Sequence, residues 1–305
     1  MNDYILRTQP PDRLDVSDLL HTIQDLSFCD SQENTPKMDL YFPDESAEPR
    51  PVILNVCGGG WYFGIPTSAH LKRTLHTAVQ RGYVFASIAC TSSRYQKFPY
   101  QVWEVKTAIR YLRANAEAYH LNPNRIALWS ASSGAHLSLM AALTCGIPEF
   151  DDPVLGYPGI SCQVPVVVAA YPPSELGVSA SQFQELGISS PFPADNADSM
   201  ESIFLGEDTS QNPALARKAS PLTYIHPDAP YLYLQHGSID DVVPITQSRR
   251  FAEKYEELAG KDKIQTEFIT GAGHSDPIFK TEATCHRILD TIDQWLTIAS
   301  LRSGC

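Results

Sequence analysis

A chain of 305 residues, 43% of them hydrophobic, can bury a sizeable core, and α/β folds of this length commonly form one unit. Its 35 acidic against 23 basic side chains leave a net charge of −12, which argues against nucleic acid or an anionic membrane as a partner. Seven scattered cysteines form no Cys-x-x-Cys or Cys/His cluster, so no metal site is expected; buried reduced thiols in a cytoplasmic protein account for them.

The opening Met1-Asn2-Asp3-Tyr4-Ile5 carries an early acid and lacks a signal-like apolar core. No run approaches the ~20 apolar residues of a membrane span, which again predicts a cytoplasmic location. Residues 23–28 and 38–42 alternate apolar with polar side chains and predict an antiparallel start to a sheet. Short, nearly continuous apolar runs at 52–57, 84–90, 125–129, 164–170, 231–235 and 266–269 read as buried parallel strands. Between them, 100–119, 134–144, 246–258 and 279–299 carry apolar residues at helical spacing, as in Val102, Val105, Ile109 and Leu112. This alternation predicts a mostly parallel, doubly wound α/β sheet with helices on both faces, in a single domain spanning 1–305. One stretch, 174–228, is rich in Ser, Pro, Asn, Asp and Gly, with short helical pieces only at 199–205 and 213–218. Long excursions inside compact domains are more often functional than idle, so this one reads as a small cap or binding-loop insertion.

The strand at 125–129 runs into the helix at 134–144 through Ser130-Ala131-Ser132-Ser133-Gly134. That turn matches the Gly-x-Ser-x-Gly nucleophile elbow, with Ser130 in place of the first glycine. Register favours Ser132, which has a small residue two before it and Gly134 two after it. Centring on Ser133 would put Ala131 and Ala135 there, and centring on Ser130 would put Leu128 and Ser132. The competing reading is an ordinary strand–helix junction capped by serine.

A serine nucleophile needs a base to take its proton and an acid to orient that base. Downstream, the run 231–235 leads into a turn carrying Asp240 and Asp241, and the run 266–269 leads into Gly271-Ala272-Gly273-His274. Ser, Asp, His is the chain order of α/β-hydrolases, and all three would lie at the carboxyl ends of strands, where open sheets bind ligands. Upstream, Cys57-Gly58-Gly59-Gly60-Trp61 closes an apolar strand, and its glycines let backbone N–H groups turn inward. The Gly59 and Gly60 amides, completed by that of Ser133, are the expected oxyanion hole. No Gly-Lys-Ser/Thr or Gly-x-Gly-x-x-Gly follows, so a nucleotide-phosphate loop is not indicated. Trp61, Tyr62 and Phe63 either line a substrate pocket for an acyl or alcohol group or belong to the core.

Together these segments resemble an α/β-hydrolase-fold carboxylesterase, close to the hormone-sensitive-lipase-like and feruloyl/acetylxylan esterase (BD-FAE-like) families. The likeness runs from about 25 to 296. It includes Lys37-Met38-Asp39-Leu40-Tyr41-Phe42-Pro43, Val105-Lys106-Thr107-Ala108-Ile109-Arg110-Tyr111-Leu112-Arg113 and Ala219-Ser220-Pro221-Leu222-Thr223-Tyr224. It implies Ser132 as nucleophile, His274 as base and Asp240 as orienting acid. Asp241 is the runner-up, standing where the family commonly has proline. The implied reaction is hydrolysis of a small-molecule ester, short-chain acyl or aryl, through an acyl-enzyme, with no cofactor. Three positions depart from the family pattern: Cys57 replaces a histidine, Ser130 a glycine, and Cys90-Thr91-Ser92-Ser93-Arg94 a Tyr-Arg-Leu-type segment. Two further readings stay open: an amidase, formamidase or small-peptide hydrolase with the same triad, and a hydrolase-fold ligand-binding protein without catalysis.

Overall fold

The structure, a computed structural model, describes residues 12–19, 21–29, 36–43, 48–151 and 155–303; the opening segment read above and Cys305 lie outside them. Among the described residues eight strands form one sheet in the order β1-β2-β4-β3-β5-β6-β7-β8. They are β1 (Thr22–Ser27), β2 (Lys37–Tyr41), β3 (Arg50–Val56), β4 (Val84–Ile88), β5 (Leu121–Ala131), β6 (Val166–Ala170), β7 (Tyr231–Gly237) and β8 (Ile264–Ile269). β2 pairs antiparallel with both β1 and β4, and every later pairing is parallel. The helices are α1 (Lys72–Gln80), α2 (Tyr100–Ala114), α3 (Ser133–Leu143), α4 (Ser179–Leu186), α5 (Met200–Leu205), α6 (Pro213–Lys218), α7 (Ile245–Leu258) and α8 (Glu282–Ser303).

Why the strands read as unbroken apolar runs is plain from the two faces. Val52, Leu54, Ala86, Leu128, Val167 and Leu232 share one core with side chains of α2, α3 and α7. Their chain neighbours Ile53, Phe85, Ala127, Val166 and Tyr233 face the opposite way, onto α1 and α8. Alternate residues of a strand point to opposite faces, so a sheet covered on both sides is apolar at most positions of its central strands. This is the predicted mostly parallel α/β architecture.

Boundaries differ in places. The helix expected to reach 119 stops at Ala114, where Asn115 donates its N–H back to the Tyr111 carbonyl and the chain turns into β5. The helix expected from 279 is two pieces: a short 3-10 turn at Pro277–Lys280, then α8. Thr281 restarts it by accepting the Thr284 N–H on Oγ1 at 3.2 Å, an N-cap. α1 and α4 were not anticipated. In α1 only Leu75, Ala78 and Val79 carry the apolar face, too brief a pattern to stand out.

The 174–228 stretch holds α4, α5 and α6, with Ser199 and Asn212 capping α5 and α6. Phe204, Leu205, Ala216 and Ala219 from this stretch join the same core as α2 and α3, so it packs down onto the sheet domain. Among the described residues no helix is long and apolar enough to cross a membrane.

Candidate active site

β5 ends at Ala131 and α3 begins at Ser133, leaving Ser132 at the turn with φ 55° and ψ −132°. A non-glycine residue with such a φ costs roughly 1–3 kcal/mol and persists only where its surroundings hold it. Here the Ser132 N–H donates to the Ala170 carbonyl at 2.9 Å, and its own carbonyl accepts the His136 N–H at 3.0 Å. Gly134 permits the close crossing of helix and strand: a Cβ there would lie 2.1 Å from the Val56 carbonyl oxygen. Ser130, in the place of the elbow's first glycine, is buried. Its Oγ accepts the Val56 N–H at 3.0 Å and lies 2.8 Å from Ser138 Oγ, which stitches β5 to β3 and α3. Of the three serines, Ser132 alone meets a histidine.

His274 Nε2 is 3.1 Å from Ser132 Oγ, and His274 Nδ1 is 2.8 Å from Asp240 Oδ2. Asp240 is fully buried, and its Oδ1 accepts the Val242 and Val243 N–H groups at 2.9 Å each. Burial by itself would raise its pKa. Hydrogen bonds from His236 and His274 outweigh that and hold the carboxyl well below the usual carboxylate range. An ionised Asp240 keeps a proton on His274 Nδ1, which leaves Nε2 free to accept from the serine hydroxyl. The partner of His274 is thus Asp240 and not Asp241. Behind Asp240, the buried His236 is fixed by Ser248 Oγ at 2.7 Å and the Val243 carbonyl at 2.9 Å. Tyr171 closes one side of His274, its ring centroid 4.6 Å away.

The glycine loop follows β3. Gly59 has φ 134°, and a Cβ there would lie 2.4 Å from the Phe63 carbonyl oxygen, so the turn admits no side chain. The Gly59 N–H donates to Ser133 Oγ at 3.0 Å. This corrects the expectation that Gly59 offers a free oxyanion donor. The Gly60 and Ser133 N–H groups have no acceptor among the described residues, and both residues line the pocket that holds Ser132. Cys57, in place of the family's histidine, sits within the loop: its Sγ donates to the adjoining Gly58 carbonyl at 3.4 Å and accepts a backbone hydrogen bond from Ile65, while burial pushes its thiol up. The Ser133 hydroxyl braces the loop from the side of the elbow. The third departure is also anchored, since Glu104 on α2 accepts the Thr91 N–H at 2.8 Å.

Trp61 lines the pocket but is mostly core: it stacks on Phe204 with centroids 4.7 Å apart. Tyr62 is buried and absent from the pocket lining, so the substrate-pocket reading of it does not hold. Both the Tyr62 and Phe63 N–H groups donate to the Gly59 carbonyl, and this tight turn carries Tyr62 toward Arg94, whose Nε donates to its hydroxyl at 2.8 Å. Phe183, Phe192, Val242 and Val243 make the apolar wall instead.

Two residues escaped the sequence reading. His136 lies one turn into α3, accepting the Trp61 Nε1–H on Nδ1 at 3.1 Å and donating from Nε2 to the Ala219 carbonyl at 2.8 Å. Burial pushes its pKa down to about 4, so the ring is neutral as it ties α3 to the glycine loop and to the 174–228 stretch. A lone imidazole among the apolar residues of α3 was the available signal. Glu201 is the charged side chain in the pocket lining, and burial pushes its carboxyl up to about 7. Nothing in its local sequence distinguishes it from a solvated helix-start glutamate.

The chain is similar to several known proteins. Esterase LipC of Mycobacterium tuberculosis (strain ATCC 25618 / H37Rv) is 28% identical over 254 residues, 82% of this chain and 60% of the relative. Esterase LipQ of the same organism is 30% identical over 231 residues, 74% of this chain and 50% of the relative. The chain therefore spans about half to three-fifths of the length of these curated relatives. A solved structure, a truncated form of a carbohydrate esterase from gut microbiota, shares the fold with a TM-score of 0.81 at 23% identity, covering 95% of this chain and 100% of that one. A family model described as BD-FAE matches residues 38–255, from β2 through the elbow and Asp240 into α7, and the chain belongs to that family.

Proposed function

We propose that the chain is a serine esterase that cleaves a carboxylic ester through an acyl-enzyme. One observation carries this reading: the hydrogen-bonded line Ser132–His274–Asp240 stands beside the unpartnered N–H groups of Gly60 and Ser133. Ser132 Oγ attacks the ester carbonyl carbon while His274 Nε2 takes its proton, and Asp240 stabilises the resulting imidazolium. The Gly60 and Ser133 N–H groups donate to the oxyanion as charge develops on it, an effect typically worth ~3 kcal/mol per donor. Collapse breaks the bond to the alcohol, which leaves with the proton from His274. Water, activated by the same imidazole, then releases the acid and restores Ser132. The apolar wall of Phe183, Phe192 and Val242 suits a small acyl or alcohol group. The esterase names carried by LipC and LipQ support the choice of bond.

The test is turnover of p-nitrophenyl acetate and butyrate against matched anilides. The reading expects an initial burst of p-nitrophenol equal to the enzyme concentration, then steady release, with the anilides far slower. Folded protein that turns over neither ester contradicts it, and anilides cleaved as fast as esters would favour the amidase reading.

A further inference from the structure

The cysteines looked scattered in the sequence, yet folding brings two of them into contact. Cys145 lies just beyond the end of α3, and Cys162 lies in the stretch leading into β6. Their Sγ atoms are 3.0 Å apart, across 17 positions of sequence. That is closer than two sulfurs approach in ordinary packing.

The surroundings hold both residues in place. Arg113 donates to the carbonyls on either side of Cys162, those of Ser161 and Gln163, and Arg110 Nε donates to the Ile160 carbonyl at 2.9 Å. Lys106 Nζ donates to the Thr144 carbonyl, next to Cys145, at 2.7 Å. The two thiols differ in access: Cys162 is buried, whereas Cys145 keeps contact with solvent. The hydrogen bond from Cys162 holds the Cys145 thiol below its ordinary value, against burial, and the charge of Lys106 adds to it. A more acidic, accessible thiol beside a buried one is the arrangement of an attacking and a resolving cysteine.

We propose that Cys145 and Cys162 are a redox-active pair that low-molecular-weight disulfides convert to an intramolecular disulfide. With glutathione disulfide as oxidant, the Cys145 thiolate attacks one sulfur, breaks the glutathione S–S bond and expels a glutathione thiolate. The Cys162 thiolate then displaces the second glutathione from the mixed disulfide. Two protein thiols are oxidised, one glutathione disulfide is reduced to two thiols, and the two protons lost by the cysteines end on the glutathiones. The crosslink ties the far end of α3, whose first turn follows Ser132, to the approach of β6, whose Ala170 carbonyl holds the Ser132 N–H. It frames the elbow from behind without touching the triad.

The experiment treats the purified, folded chain with glutathione disulfide and counts thiols after denaturation. Two fewer thiols, a non-reducing peptide map that joins Cys145 to Cys162, and a melting temperature raised by roughly 5 °C and reversed by dithiothreitol are expected. Cys162→Ser should instead trap glutathione on Cys145, and Cys145→Ser should take up none at Cys162. An unchanged thiol count in the folded wild type overturns the proposal. So does a map that pairs other cysteines, or equal glutathione uptake by both variants.

Discussion

The Ser133 hydroxyl accepts the Gly59 N–H at 3.0 Å, so the residue after Ser132 anchors the glycine loop that faces it. This bond fixes the Gly59 end of the Gly59–Gly60 peptide and with it the aim of the Gly60 N–H. Ser133→Ala removes the acceptor and leaves the Gly59 N–H unpaired. We expect kcat on p-nitrophenyl acetate to fall about three- to tenfold, the value of one neutral hydrogen bond, with KM little changed. An unchanged kcat would show that the loop holds its shape without Ser133.

Asp240 and Asp241 are adjacent in sequence and unlike in surroundings. Asp240 reaches His274 and is buried with two backbone donors on its other oxygen. Asp240→Asn should therefore lower kcat by on the order of 10⁴-fold, by allowing the wrong imidazole tautomer. Asp241→Asn should change it less than about threefold, since loss of an uninvolved surface-side carboxylate rarely matters. Steady-state kinetics of the two variants, checked for folding by circular dichroism, separate the outcomes. The reverse ranking would misplace the acid.

Ser130→Gly restores the family's elbow glycine, yet it should destabilise this chain. The change deletes the acceptor of the Val56 N–H and the partner of Ser138 in a fully packed site. A buried donor left unpaired costs about 1–3 kcal/mol. Chemical denaturation should show a loss in that range; equal or greater stability would mean that water or a shifted strand replaces the hydroxyl.

Glu201 gives stability a pH signature. Its carboxyl has a pKa of about 7 in the fold against an ordinary 4.5. The folded state thus binds the proton more tightly, so its contribution is complete below pH 4.5 and is lost as the pH rises through 7. Glu201→Gln cannot ionise. It should gain stability over wild type by about 2 kcal/mol between pH 5 and pH 8, less than the full shift because the side chain keeps some solvent contact. Denaturation midpoints at those two pH values measure this, and a difference that does not grow with pH contradicts it.

Much of this site was legible before folding because its parts lie where short-range patterns speak. Buried parallel strands such as β3, β6 and β7 are nearly continuous in apolar residues, and Ser132, Asp240 and His274 each follow such a run in a turn. What stayed hidden depends on torsions and long-range packing. Whether the Gly59 N–H is free depends on how the Ser133 side chain turns, and the departure of Tyr62 from the pocket depends on two amides sharing the Gly59 carbonyl. The Trp61–His136–Ala219 chain and the Cys145–Cys162 contact join residues remote in sequence. No spacing rule connects them.

The central claim is that Ser132 is the nucleophile activated by His274. A fluorophosphonate probe reacts only with a serine made nucleophilic by its base, and peptide mapping reports which one. The account predicts one probe per chain, on Ser132, abolished in Ser132→Ala and strongly reduced in His274→Ala. Labelling that persists in folded Ser132→Ala, or that maps to Ser130 or Ser133, would contradict it.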